Sequence, residues 1–291
     1  MPSSLSPTIW ANHRLEWGQQ TYVMGIVNVT PDSFSGDGLA KDTFTDVNLV
    51  QRSVELARRF VDDGATFIDV GGESTRPNAP TPVTAEQELA RVIPVIQALK
   101  ETLPEEVMIS IDTYKAEVAA CALDAGACII NDIWALRHDP DMAAIASERR
   151  VPVVLMANMR GYQKREIVSD VVRYLAGAID HALAAGIAWE HIIIDPGIGF
   201  GTTPEESLTL LRRLGELRAL GRPILLGTSR KSHIGRVLGG LPASERLEGT
   251  AASVALGIAQ GADIVRVHDV HEMMRVVKMS DATVRGTFTL S

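Results

Sequence analysis

The chain predicts an α/β fold: one (β/α)8 barrel of parallel strands with a short N-terminal capping arm. Three observations carry that expectation. Eight apolar, strand-like stretches alternate with helix-like stretches along the 291 residues. The strands read as nearly continuous apolar runs, the pattern of parallel strands covered on both faces. The length suits one barrel of about 250 residues plus an arm, and no Pro-, Ser- or Gly-rich linker divides the middle. A doubly wound open sheet is the main alternative, since periodicity does not by itself distinguish an open sheet from a closed one.

Residues 1–20 read as the arm, a short hairpin or irregular segment with Gly18 at a turn, and 21–291 as the barrel domain. The first core strand covers 22–29 and runs into a long polar loop, 30–38. A helix over 45–63 puts Val50, Val54, Leu56, Ala57, Phe60 and Val61 on one face and stops at Gly64. The next strand, TFIDV at 66–70, delivers Gly71 and Gly72 and then the polar cluster Glu73, Ser74, Thr75 and Arg76, stiffened by Pro77. Thr84 and Gln87 form a capping box that opens a helix to 102.

Strand 107–111 ends in Asp112, and a helix over 114–124 stops before Gly126. Strand 128–130 ends in Asn131 and Asp132, and Asp139 is the expected N-cap of a helix to 149. Strand 152–156 leads to Asn158, then to a helix over 166–185. Strand 191–194 ends in Asp195 and PGIGFG, and Thr203 caps a helix running to about 220. Strand 223–226 ends in GTSRKS, and one long helix is expected over 243–260. The last strand, 263–267, carries Arg266 and His268 at its end, before a closing helix over 270–283.

Composition narrows the function. With 46% hydrophobic and 22% charged residues the chain is an ordinary globular one. It has no apolar run of about 18 residues for a membrane span, and its N-terminus lacks the charged-then-apolar pattern of a signal peptide. Cys121 and Cys128 lie in apolar surroundings and read as buried, reduced thiols of a cytosolic protein. The net charge of −8 argues against non-specific nucleic-acid binding. An anionic ligand must then be held by a local basic cluster.

In a barrel all strand carboxyl ends share one rim. The groups expected there are Asn28, Asp69 with Thr75 and Arg76, Asp112, Asn131, Asn158, Asp195, Lys231, and Arg266 with His268. Any one of them suits an ordinary cap or turn, but all eight units supply one, which points to a single polar site. Arg76, Lys231, Arg266 and His268 converging in an acidic chain suggest a phosphate-bearing substrate. Asp112, Asn131 and Asp195 suit the NH and amide edges of a heterocycle. GIGFG at 197–201 does not match a dinucleotide-binding loop and reads as close backbone approach to a ligand.

MGIVNVTPDSFSGDG, FIDVGGESTRP, ISIDTYKAEV, IINDI, IIIDPGIGFG, GTSRKS and IVRVHDV together resemble the dihydropteroate synthase family of pterin-binding TIM barrels, across residues 24–270. The resemblance implies condensation of 7,8-dihydropterin-6-ylmethyl diphosphate with 4-aminobenzoate to dihydropteroate and pyrophosphate, with Mg2+, in a cytoplasmic homodimer without membrane or nucleic-acid partners. It implies Asn28 as the metal ligand, and Asn28, Thr75, Arg76, Arg266 and His268 as diphosphate ligands. Asp112, Asn131, Asp195 and Lys231 then bind the pterin, and Phe34, Pro77, Phe200 and Ser232 lie near the aminobenzoate. Asp195, Lys231, Arg266 and His268 are the implied catalytic set. A corrinoid-type pterin methyltransfer domain and a non-catalytic pterin-binding paralogue share parts of this pattern; NVTPDSF and ESTRP favour the synthase. The chain departs from the family pattern at Ala157, where a His is usual, and at Thr202, where a Lys is usual. Both changes are expected to strip polar groups from the mouth of the site, and two readings stand: neutral drift on a loop, or a sulfonamide-insensitive member of the family.

Overall fold

The computed structural model describes residues 5–30, 46–74 and 82–288. Strands β1 (Thr8–Trp10) and β2 (His13–Leu15) pair antiparallel as a hairpin. Among the described residues eight parallel strands follow: β3 (Tyr22–Asn28), β4 (Phe67–Gly71), β5 (Met108–Asp112), β6 (Ile129–Asp132), β7 (Val153–Met156), β8 (Ile192–Asp195), β9 (Leu225–Leu226) and β10 (Ile264–Val267). Their order runs from β8 back to β3 and on through β10 to β9. A parallel bridge from Ile194 to Ile224 closes the ring between β8 and β9, so the sheet is a barrel and not an open, doubly wound one. The helices are α1 (Asp46–Asp62), α2 (Ala85–Thr102), α3 (Ala116–Ala125), α4 (Met142–Arg149), α5 (Ile167–Ala184), α6 (Pro204–Arg212), α7 (Ser232–Val237), α8 (Leu247–Ala259) and α9 (Val270–Val284).

Strand alternation divides the apolar residues between two cores. Outward positions such as Val23, Ile68, Ile109, Ile130, Val153 and Val265 pack against the helices in the main core. The inward residues Met24, Phe67, Met108, Ile129, Val154, Ile193, Leu225 and Ile264, one from each barrel strand, fill the lower barrel. The hairpin closes that end: Trp10, Leu15 and Trp17 join the inner cluster. Polar ties fix it in place, Thr8 Oγ1 donating to the Glu190 carbonyl at 2.6 Å and His191 Nε2 standing 3.0 Å from the Ile9 carbonyl. With the bottom plugged by large side chains, the polar inward positions two residues further along the strands face the opposite mouth.

Several local expectations change. Asp139 does not cap the helix that follows it; α4 begins after Asp141, while Asp139 Oδ2 accepts from Ala116 N at 2.8 Å and caps α3 of the neighbouring unit. α3 accordingly starts at Ala116, two residues later than expected. The segment 203–220 is α6, opened by the Thr203 capping box, and then a 3-10 turn over Leu214–Leu220. The expected long helix over 243–260 is a 3-10 turn and then α8. Cys121 is exposed and Cys128 half-buried, so the pair is not a buried one. Val118, Ala119 and Ala122 take the inner face of α3 and leave Cys121 outside. Burial still pushes the Cys128 thiol up to about 11.

Candidate active site

Inside the barrel, above the apolar layer, Arg266 on β10 lies between two carboxylates. Its Nε donates to Asp69 Oδ2 at 2.5 Å and its Nη2 to Asp112 Oδ2 at 2.6 Å. Asn131 Nδ2 donates to the same Asp69 oxygen at 3.0 Å. Asp69 is fully buried: parity turns the lone charge of the strand TFIDV inward, and the Arg266 guanidinium two strands away, with the Asn131 amide, makes that position tolerable. Asp69, Asn131 and Arg266 thus sit within the strands, below the rim where the sequence suggested them. Asp112, at the strand end, has its carboxyl pushed up by burial against the pull of Arg266, with Asp69 and Glu88 adding to the rise.

Asp195 ends β8, and its Oδ1 accepts from Gly197 N at 2.7 Å. Burial raises its carboxyl, opposed by that hydrogen bond and by Lys231 and Arg266. Lys231 stands at the N-cap of α7 with its Nζ 4.1 Å from the centre of the Phe200 ring. Its ammonium is held below the usual lysine range by burial and by Arg266, against Asp195 and Asp112. Arg160 lies over the same ring at 5.0 Å, so Phe200 has two cations on it. Arg230, bonded to Asp269 through Nε at 3.0 Å, ties the loop that carries Lys231 to the end of β10. His268 Nδ1 is 2.9 Å from Ser229 Oγ, which also accepts from the His268 backbone N–H.

The glycine-rich turn approaches protein, not open space. At Gly197 a Cβ would lie 1.9 Å from the Ala157 carbonyl oxygen, and at Gly201 one would lie 2.3 Å from Arg160 N. Both positions have positive φ as well, 69° and 73°, so glycine is required twice over. The backbone approach expected to serve a ligand instead locks the β8–α6 loop against the β7–α5 loop. Ala157 is fully buried beneath this contact and not at the mouth. Thr202 does not leave the rim without a cation either: Lys164 Nζ, from the β7–α5 loop, donates to the Gly201 carbonyl at 2.7 Å and pairs with Glu206. Asn158, 2% exposed, bonds the Ile133 carbonyl and Arg160 N and serves the loop itself.

A second charged group stands behind the β4–α2 loop. Lys115 Nζ is 2.5 Å from both Glu73 Oε2 and Glu88 Oε2, and Tyr114 OH donates to Glu73. Glu88 is 1% exposed, and burial raises its carboxyl. Lys115→Met is expected to lower the unfolding free energy by about 3–5 kcal/mol, because the buried Glu88 and the half-buried Glu73 both lose their ammonium. Urea unfolding measures it, and a loss under about 1 kcal/mol would show a triad no stronger than a surface pair.

Of the residues singled out in the sequence, the structure joins Asp112 and Asn131 around Arg266 and Asp69, seats Lys231 on Phe200, and brings Asp195 and Lys231 within charge range of that cluster. Asn28 ends β3 in register with Gly71 on β4, and Ser232 is exposed in the first turn of α7. Phe34, Thr75, Arg76 and Pro77 lie outside the described residues. Sequence reasoning passed over Lys115, Glu88, Arg160, Lys164 and Ser229. Each lies in a loop or helix where a charged or hydroxyl residue is ordinary, so the signal was weak; only its partners distinguish it.

A parallel barrel with a plugged base and buried acids, amide and cations toward its other end defines an enzyme of the α/β-barrel class. The family model described as pterin binding enzyme matches residues 24–268. Dihydropteroate synthase of Bacillus subtilis is 48% identical over 268 residues, covering 92% of this chain and 90% of the relative. The Clostridium difficile dihydropteroate synthase structure, obtained in the presence of pteroic acid, superposes with a TM-score of 0.86 at 46% identity, covering 93% of this chain and 99% of that one. The Xanthomonas albilineans enzyme with 4-aminobenzoic acid gives 0.87 at 39% identity, covering 96% and 98%. The chain belongs to the dihydropteroate synthase family of pterin-binding enzymes.

Proposed function

We propose that the chain condenses 7,8-dihydropterin-6-ylmethyl diphosphate with 4-aminobenzoate, giving 7,8-dihydropteroate and pyrophosphate for folate synthesis. The observation that supports this best is the buried set of Asp112, Asn131 and Asp195 beside Arg266 and Lys231. Carboxylates and an amide, held by cations inside the barrel, match the alternating NH and carbonyl edges of a pterin. Phe200 and Ser232 flank that set on the side of Lys231, which suits an aromatic amine and its carboxylate; Phe34 and Pro77 complete the reading from sequence.

The reaction forms a C–N bond at the exocyclic methylene and breaks the C–O bond to the diphosphate, which leaves with the bonding pair. The amine nitrogen loses one proton. Asp195 and Asp112 hold the pterin's NH groups and stabilise positive charge as it develops on the ring. Lys231 orients the pterin at the Phe200 face. The diphosphate falls to Asn28, Thr75, Arg76 and His268, with Nη1 of Arg266, the nitrogen not committed to Asp69 or Asp112. Mg2+ fits as a metal that enters with the diphosphate: Asn28 offers one amide oxygen, and among the described residues no group of three His, Cys, Asp or Glu could hold an ion unaided. When bound, the metal neutralises charge on the leaving group.

The barrel, 21–291, is read as one domain with 1–20 as its arm, working in the cytoplasm. Among the described residues no helix is long and apolar enough to cross a membrane. A homodimer through the outer helices is supported by exposed Val237, Leu256 and Met279 on α7, α8 and α9; sedimentation at micromolar concentration tests it.

Purified protein with both substrates and Mg2+ is expected to release dihydropteroate and pyrophosphate in equal amounts. Binding of the pterin without turnover would favour a non-catalytic paralogue. Asp195→Asn is expected to fold and to lose at least about 2 kcal/mol of transition-state stabilisation, roughly 30-fold in kcat/KM. Turnover within a few-fold of wild type would remove Asp195 from the site.

A further inference from the structure

We propose that Lys164 and Thr202 are positioning residues for Phe200, and that they set how tightly the site takes its aromatic amine substrate. The inference rests on reading Phe200 as a wall of the aminobenzoate site. Phe200 lies in a turn whose glycines at 197, 199 and 201 all have positive φ. Such a backbone has little rigidity of its own, because glycine reaches many conformations at small cost. External ties must therefore hold the ring.

Those ties bracket Phe200 on both sides. Before it, Gly199 N donates to Thr202 Oγ1 at 2.9 Å, and that hydroxyl is 2.9 Å from Ser207 Oγ, a side chain 1% exposed on α6. After it, Lys164 Nζ donates to the Gly201 carbonyl at 2.7 Å. Lys164 also pairs with Glu206, whose carboxylate accepts from Thr203 N at 2.7 Å in the cap of α6. The Phe200 carbonyl itself accepts from Met159 N at 3.0 Å. The ammonium thus joins three pieces: the β7–α5 loop, the Gly201 carbonyl one residue past Phe200, and the first turn of α6. With a side-chain exposure of 19% it is better shielded than an ordinary surface lysine. Thr202 and Lys164 act from opposite ends of one short turn, so loss of either loosens one end, and loss of both leaves the turn held by backbone contacts alone, among them Met159 N to the Phe200 carbonyl.

Steady-state kinetics of Lys164→Met, Thr202→Val and Phe200→Ala, with calorimetry of a plain pterin, test the inference. Lys164→Met and Thr202→Val should each raise KM for 4-aminobenzoate about fivefold while kcat stays within about twofold. Plain pterin should bind Lys164→Met and Thr202→Val as it binds wild type, and Lys164→Arg should restore KM, since it keeps a charged donor. If Phe200→Ala raises KM but neither Lys164→Met nor Thr202→Val does, the positioning role is wrong. If Phe200→Ala also leaves KM unchanged, Phe200 does not face the amine, and the inference falls with that reading. A fall in pterin affinity equal to the rise in KM would show a general disturbance of the barrel and overturn it too. Should Lys164→Met fail to fold, Thr202→Val decides alone, because it exchanges only a hydroxyl for a methyl.

Discussion

Arg266→Met is expected to cost about 3–5 kcal/mol of unfolding free energy at neutral pH, the usual penalty for leaving buried charges without their partner. Asp69 is fully buried and the Asp112 side chain 13% exposed, and both take a charged hydrogen bond from this guanidinium. Methionine fills much of the volume, so the loss reports charge more than cavity. The effect has a definite pH dependence. Burial already raises the Asp112 carboxyl, and Arg266 opposes that rise. Without Arg266 the folded state holds the Asp112 proton more tightly than the unfolded chain does, so its contribution to stability is present at low pH and lost as pH rises through the raised value. The deficit of the variant should therefore shrink from pH 8 to pH 5. A deficit that is constant across this range would assign the loss to packing. Turnover should fall with stability, because a protonated Asp112 offers the pterin a different hydrogen-bond pattern. Arg266→Lys should recover part of the stability and little activity, since one ammonium does not span two carboxylates as a guanidinium fork does.

A second large effect is expected at His233, in the residue after Ser232 on α7. The ring is 1% exposed, and neither nitrogen has a hydrogen-bond partner among the described residues. Burial, with Lys231 and Arg246 adding to it, lowers its pKa to about 4. The unfolded chain, with an ordinary imidazole near 6.5, binds the proton more readily than the folded state between those two values. Stability therefore falls as pH drops from about 6.5 to 4, by about 3 kcal/mol at most from this one group. His233→Phe removes that dependence. At neutral pH the variant should be as stable as wild type or more stable, since two unpaired buried nitrogens are replaced by carbon. Asp112 and Asp195 have raised pKa values and bias stability the opposite way. The informative quantity is thus the difference between the two proteins, measured by denaturant unfolding from pH 7 to pH 4.5. Parallel curves would show that His233 is not the group that titrates.

The sequence alone determined the number of strand–helix units, the parallel sheet and the polar residues that the strands turn inward. Those follow from local rules: strand parity sends Asp69, Asn131, Asp195 and Arg266 inward whatever their neighbours are, and a capping box such as Thr84 with Gln87 or Thr203 with Glu206 is complete within four residues. The tertiary structure decided everything that depends on ring closure. Arg266 meets Asp69 and Asp112 across 197 and 154 residues, distances over which a sequence pattern says nothing about pairing. The same holds for Asp139, whose cap falls on α3 because two neighbouring βα units pack side by side, and for the glycines at 197 and 201, which approach the Ala157–Arg160 backbone. Thr202 shows the limit most directly. Read along the chain, it is a lysine lost from the rim; in the fold, Lys164 from the adjacent loop puts its ammonium on the Gly201 carbonyl. Side-chain type is a local property, but the charge present at a point in space is the sum over every segment that reaches it.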